Sequence, residues 1–437
     1  MFIATAVPDA PVGRQLTWFL RAVADLPWSE QVIQAHFNSG FLAQISPDEI
    51  NSFLEGLPAL GASVPSPGAS LIGLLSQVPA DDPVALLAVA AFGGVELTVD
   101  ISVDRAGLIS GLRLTPYQPP PASWAQADRD LAALAPGASL LAARVSPGGV
   151  CTPVHQVAAA AARPLDSMFK LFVLGALARQ IAAGRVSWDQ DLTVTDALKS
   201  TGNIDPGFLQ DAYLQDVPAG TRVSVRQTAL QMISMGDNTA ADMLIHLVGR
   251  SAVQAQDRQW SAHAALNVPF LTTRELFLLK YADPALADRY LRQAPSQRAA
   301  FLASAVGPLP LSQAQLPDAA TAPPAGIDTL EWFASPEDIC RAFAGLQQLA
   351  AQPALAPLGP ILSATGGSIG LDPAQWPTVW VKFGSEPGVL TVGCLATNSN
   401  GQTFVVVAML SDPAAALPPS AGPGLLAIVQ GAFELAR

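Results

Sequence analysis

In the segment Pro-Leu-Asp-Ser-Met-Phe-Lys-Leu-Phe-Val-Leu-Gly-Ala-Leu, an extended stretch gives way to an apolar helix, and Ser167 and Lys170 stand at the junction. Residues three apart on a helix share a face, so a hydroxyl and an amine can meet there. A serine is a weak nucleophile until a neighbour takes its proton. An amine beside hydrophobic material is partly desolvated, which lowers its proton affinity and makes it a better base. The spacing therefore suggests a lysine-activated serine. Four-residue patterns also arise by chance, and a helix cap with a snorkelling lysine would read the same way.

The rest of the chain sets the frame. It has 437 residues, 50% of them hydrophobic, which is ample for a large core and long for one ordinary domain. Two domains are expected. The formal net charge is -12, a balance that on average repels nucleic acid and anionic membrane surfaces. Three scattered cysteines (Cys151, Cys340, Cys394) give no bridge framework and no CxxC metal signature. The four histidines are dispersed, so neither a metal site nor a cofactor is expected. The first residues lack a basic stretch followed by a long apolar run, and no window reaches about 18 apolar residues. The expected location is cytoplasmic, without a membrane partner. Nothing in the pattern specifies an oligomeric state.

Periodicity divides the chain at residue 120. Leu16, Phe19, Leu20 and Val23 recur at helical spacing, and 12–60 read as helices. Ser46-Pro47-Asp48-Glu49 has the form of a capped helix start. Strands are expected at 84–92, 95–103 and 108–115; in the second, Val95, Leu97, Val99 and Ile101 alternate with Glu96, Thr98, Asp100 and Ser102. Helices followed by antiparallel strands make 1–120 a small α+β domain. Pro119-Pro120-Pro121 stiffens the connector. Over 121–437 the pattern predicts a strand at 139–145 and a strong helix at 170–182. Two helical segments should meet near Gly236-Asp237-Asn238, and a capped helix covers 272–281. A loop at 308–324 precedes strands at 376–383, 390–397 and 403–410, and a helix at 422–436 closes the chain.

Three motifs then fall in order: Ser167-Met-Phe-Lys170, Met232-Ile-Ser-Met-Gly-Asp237-Asn238, and Val381-Lys382-Phe-Gly384-Ser385. Together they resemble the SxxK, SDN and KTG motifs of penicillin-binding proteins and class A β-lactamases. The similarity covers roughly 125–437. It implies an α+β fold in which a helical region lies beside a five-stranded antiparallel sheet. It implies that Ser167 is acylated, that Lys170 takes or relays its proton, and that Asn238 bonds the substrate amide or Lys170. Lys382 would offer positive charge to a substrate carboxylate or to the proton relay. The backbone N–H groups of Ser167 and Ser385, with Gly384 between Lys382 and Ser385, would stabilise an oxyanion. Asp237 would orient its loop.

The departures narrow the chemistry. Gly236 stands where SDN has a serine, so a hydroxyl that relays a proton to a leaving nitrogen is missing, and Ser234 cannot be assumed to replace it. Phe383 replaces the threonine of KTG. No glutamate occurs from Thr239 to Arg274; the first, Glu275, lies in Thr272-Thr-Arg-Glu-Leu-Phe and reads as a helix-start residue rather than a deacylating base. Beyond Lys382 the sole arginine is Arg437. An efficient class A β-lactamase is therefore not expected.

His36-Phe37, Phe41-Leu-Ala and Val99-Asp-Ile-Ser-Val-Asp104-Arg-Ala-Gly-Leu-Ile-Ser-Gly-Leu112 resemble the small domain, steroid-isomerase- or cystatin-like, that precedes the lactamase-like domain in some actinobacterial serine hydrolases. One of these is a two-domain protein encoded with clavulanic acid biosynthesis genes. The expectation is a serine hydrolase acting by acyl transfer on a small-molecule ester or lactam-like substrate. Its rivals are a non-catalytic ligand-binding or scaffold protein that kept the fold and a transpeptidase-like peptidase.

Overall fold

The structure, a computed structural model, describes residues 3–43, 45–57, 68–78, 84–201, 214–316 and 322–437. Two compact units emerge. The first holds the described residues up to Pro120 together with Thr365–Thr378, and the second holds the remainder.

In the first unit the helices are Pro11–Ala22, Glu30–His36, Ser39–Leu42 and Pro47–Glu55. Proline opens two of them, where its missing N–H is no loss. The Ser46–Glu49 capping box is complete, each side chain bonding the other's backbone N–H. Leu16, Phe19, Leu20 and Val23 are buried, as their spacing predicts. Strands Ser70–Val78, Ala85–Phe92, Val95–Val103 and Ile109–Pro116 pair in that order as an antiparallel meander. Ser70–Val78 escaped the sequence reading because Ser-Leu-Ile-Gly-Leu-Leu-Ser-Gln-Val has no alternation and carries register shifts at Leu71/Gly73 and Leu74/Ser76. Leu97, Val99 and Ile101 are core, but Thr98 and Ser102 on the alternate face are buried too, with Ser102 Oγ 3.1 Å from Ser110 Oγ. Residues 58–60 of the expected helical stretch lie outside the described residues.

The second unit is built on a five-stranded antiparallel sheet in the order Thr378–Glu386, Val389–Thr397, Thr403–Ser411, Gly137–Val145, Cys151–Val157. All nine residues of Thr403–Ser411 are buried, which suits a central strand. The helix Lys170–Ala182 is buried on all sides from Lys170 to Ala178, its Leu171, Phe172, Val173 and Leu174 fully covered, and reaches the surface in its last turn at Arg179 and Ala182. Helix Pro336–Ala350, opened by a Ser335–Asp338 capping box, packs against that helix and the sheet. The cysteines, whose number and spacing specified no framework of bridges, contain one: Cys151 on the outer strand is bonded to Cys340 on Pro336–Ala350, 189 residues away. Two cysteines so far apart meet only through the fold, which no spacing rule reports. Of the expected loop at 308–324, residues 317–321 lie outside the described residues, and Leu311–Gln313 forms a single tight turn. No helix among the described residues is long and apolar enough to cross a membrane.

Candidate active site

Ser167 lies in a 3-10 turn, Asp166–Phe169, and Lys170 begins the helix that follows. In a 3-10 turn residues i and i+3 eclipse one another, so the turn aligns hydroxyl and amine more closely than an α-helix would. The turn is fixed from below. Phe169 stacks on Trp332 with centroids 3.8 Å apart, Leu165 N–H donates to Trp332 O at 2.8 Å, and Thr391 Oγ1 donates to Leu165 O at 3.0 Å.

The Lys170 ammonium is fully buried, whereas Ser167 is part exposed. Its Nζ lies 2.7 Å from Ser167 Oγ, 2.8 Å from Gly236 O and 2.7 Å from Asn238 Oδ1. The orientation of the Asn238 amide is settled by its other end, where Nδ2 donates to Thr201 O at 2.9 Å. Gly236 O and Asn238 Oδ1 can only accept, so Nζ must donate to both. The third direction of Nζ, toward Ser167 Oγ, can then carry either a proton or the lone pair. In the neutral amine it is the lone pair, aimed at the hydroxyl.

Burial brings that state within reach just above neutrality, at mildly alkaline pH. Burial lowers Lys170 to about 8, against the pull of Asp166, Asp237, Asp242 and Glu331. Lys382 is buried as well, and burial, then the nearby positive charge of Lys170, bring it down to about 7. The charge on Lys170 thus disfavours a second proton on Lys382. The two amines meet around Gly236, whose φ of +70° suits glycine and whose O binds Lys170; a Cβ added there would lie 3.8 Å from Lys382 Nζ.

Gly384 brings the sheet against the turn that carries Ser167. A Cβ on it would collide with Leu165 O and Thr391 Oγ1 and lie 3.0 Å from Ser167 N. Only glycine lets the Thr378–Glu386 strand approach the Ser167 backbone this closely. The next residue, Ser385, is exposed, and its N–H donates at 2.7 Å to Asp166 Oδ2. That partner was not foreseen: Asp166 reads as an ordinary turn residue until its backbone, at φ +42°, and its contact are seen.

The other predicted residues serve the scaffold. Asp237 is sealed from solvent, its Oδ1 accepting from Ala240 N and its Oδ2 from Leu214 N, so it holds the loop and caps the helix Asn238–Val248. Ser234 Oγ donates to Leu230 O, one turn back. Glu275 is half of a capping box with Thr272 and pairs in bidentate fashion with Arg250 at 3.0 and 2.7 Å. A buried cluster was missed: Lys280 Nζ lies 2.6 Å from Glu386 and 3.4 Å from Glu331. Burial alone would lower Lys280, but the two glutamates hold it above the usual range, and burial raises Glu331. Its three members come from distant segments, so the sequence carried no signal for it. Among the described residues no group of three or more His, Cys, Asp or Glu side chains could hold a metal ion.

Residues 153–424 match the model of a "Beta-lactamase enzyme family", and residues 7–66 match that of an "ORF 12 gene product N-terminal" domain. No curated protein is significantly similar in sequence. Among solved structures, a β-lactamase from Sphaerobacter thermophilus is similar at 20% identity and a TM-score of 0.47, with 72% of this chain and 98% of that one covered. A β-lactamase from Chitinophaga pinensis is similar at 16% identity and a TM-score of 0.45, with 71% and 97% covered. The family match spans well over half of the residues and includes all three motifs, so the chain belongs to the β-lactamase enzyme family and has its serine-hydrolase fold.

Proposed function

We propose that the protein is a serine hydrolase acting by covalent acyl transfer on a small-molecule ester or strained amide, with weak or no β-lactamase activity. The observation that carries this reading is Lys170 Nζ at 2.7 Å from Ser167 Oγ, with two of its bonding directions committed to Gly236 O and Asn238 Oδ1. Oγ attacks the carbonyl carbon as its proton passes to Nζ. The carbonyl π pair moves to oxygen, which the Ser167 and Ser385 N–H groups can stabilise. Collapse expels an alkoxide, which recovers the proton from Nζ and leaves as an alcohol. Water then hydrolyses the acyl-serine.

Ester cleavage is favoured over lactam cleavage by Gly236. An alkoxide leaves with one proton from Lys170, whereas an amide nitrogen needs a donor on its own side, and Gly236 has no hydroxyl to supply it. Incubation with an activated acetate ester should add one acetyl mass to Ser167, located by peptide mapping, and Ser167→Ala should remain unlabelled. A penicillin should label Ser167 at least 10-fold more slowly. Absence of a Ser167 adduct with every activated ester would overturn the reading.

A second reading, a ligand-binding protein that kept the fold, draws on the Asp166 carboxylate bonded to the Ser385 N–H. It predicts ligand binding that survives Ser167→Ala, without turnover. As to location, the Cys151–Cys340 bridge weighs against the cytoplasm expected from the sequence, because disulfides persist in oxidising compartments.

A further inference from the structure

The Ser385 N–H, a donor that an oxyanion would need, is held at 2.7 Å by Asp166 Oδ2. A carbonyl oxygen arriving at that N–H must therefore displace a carboxylate. Two buried amines, Lys170 and Lys382, act on that carboxylate through space. Among the described residues neither these amines nor any other lysine, arginine or histidine forms an ion pair with Asp166, and Lys280 is committed to Glu386 and Glu331. Lys170 is committed to Ser167, Gly236 and Asn238. Asp166 also holds its position against backbone preference: at φ +42° it and Ala158 are the only non-glycine residues with positive φ among those described. Such a conformation persists where the surroundings over-determine it, and it clusters at functional sites.

We propose that Asp166 is a specificity-determining residue that selects acyl groups bearing an ammonium on the carbon next to the scissile carbonyl, that is, α-aminoacyl esters. The inference rests on Ser167 being the nucleophile. As the substrate carbonyl takes the Ser385 N–H, its ammonium becomes the new partner of the displaced carboxylate. A neutral acyl group leaves Asp166 without that partner, and an anionic one adds repulsion. The bonds made and broken are unchanged: the Oγ–C bond forms, the Oγ proton goes to Lys170 Nζ, and the alcohol leaves with it. Selection arises because only the cationic acyl group replaces the hydrogen bond that its own carbonyl takes away.

A charge-assisted hydrogen bond corresponds to a preference of about 10- to 100-fold. The experiment compares Ser167 acylation rates for three activated esters of the same leaving alcohol: glycyl, propionyl and succinyl. Wild type should take the glycyl ester at least about 10-fold faster than the propionyl ester after correction for their intrinsic hydrolysis, with the succinyl ester slowest. Asp166→Asn, a residue that tolerates positive φ, should bring glycyl and propionyl within about 3-fold of each other, largely by speeding the propionyl ester. Should that variant fold poorly, Asp166→Gly removes the charge and accepts the backbone angle. A purely structural role for Asp166 would change all three rates together and leave their ratios fixed. Equal rates for glycyl and propionyl esters in wild type, or ratios unchanged by Asp166→Asn, would overturn the inference while leaving Ser167 acylation standing. Failure of all three esters to label Ser167 would instead remove the hydrolase reading beneath it.

Discussion

Lys170→Met is expected to slow acylation of Ser167 by an activated ester by about 100- to 10,000-fold, the range that a positioned general base contributes. Methionine matches the length of the apolar stem and fills the same buried channel. What it removes is the atom 2.7 Å from Ser167 Oγ. Two acceptors, Gly236 O and Asn238 Oδ1, then lose a partner, which costs roughly 1–3 kcal/mol each. A buried amine disappears at the same time, and its contribution has a definite sign. Lys170 falls to about 8 in the fold from an ordinary value of 10.5, so the unfolded chain binds the proton more tightly. Burial of this lysine therefore costs stability below about pH 8, and the cost fades as pH rises toward 10.5. These effects oppose each other, and the variant should fold with a melting temperature near that of wild type. Stopped-flow acylation measured beside near-ultraviolet circular dichroism separates a lost base from a lost fold. A reduction of less than 10-fold in a folded Lys170→Met protein would mean that the base lies elsewhere.

Reducing the Cys151–Cys340 bridge should destabilise the second unit by about 5 kcal/mol, because a closed loop of 189 residues removes much of the unfolded chain's freedom. A loss of this size lowers the unfolding midpoint by roughly 10 °C. The figure is a ceiling, since residual structure in the unfolded chain reduces it. The bridge joins the outer strand Cys151–Val157 to the helix Pro336–Ala350, which packs against the helix bearing Lys170. Calorimetry of the protein before and after reduction, beside Cys151→Ser, measures the effect. Thiol titration in denaturant provides the control: one thiol, the buried Cys394, before reduction and three after. Three thiols in protein taken directly from cells under alkylation would show that the bridge is open where the protein works.

The local parts of this fold were legible in the sequence because local rules made them. Ser46 and Glu49, or Thr272 and Glu275, complete capping boxes within four residues, and the strands Ala85–Phe92 and Val95–Val103 lie where the sequence placed them, although burial does not alternate strictly along either. The meeting of Ser167 and Lys170 was legible for the same reason, since the two share one turn. The order of the three motifs added Asn238 and Lys382, which the fold brings beside Lys170 and Gly236 from far along the chain. What escaped was non-local. The Ser70–Val78 strand takes its register from its partner and from two bulges rather than from a period of its own. Cys151 and Cys340 meet only when helix and sheet edge are packed. Lys280, Glu331 and Glu386 come from a helix, a loop and a strand that share no motif. Asp166 is the instructive miss. It adjoins Ser167, yet its contact depends on a positive φ and on Ser385, 219 residues away, neither of which composition or spacing can express.

The pH dependence of Ser167 adduct formation, followed by site-mapped mass spectrometry under single-turnover conditions from pH 5.5 to 9.5, tests the lysine-activated serine most directly. The rate should rise with pH and level off above an inflection near 8, where Lys170 loses its proton, with Lys382 broadening the lower limb near 7. Lys170→Met should lose the inflection along with the rate. A flat wild-type profile, or an inflection that survives intact in Lys170→Met, would contradict activation of Ser167 by this amine.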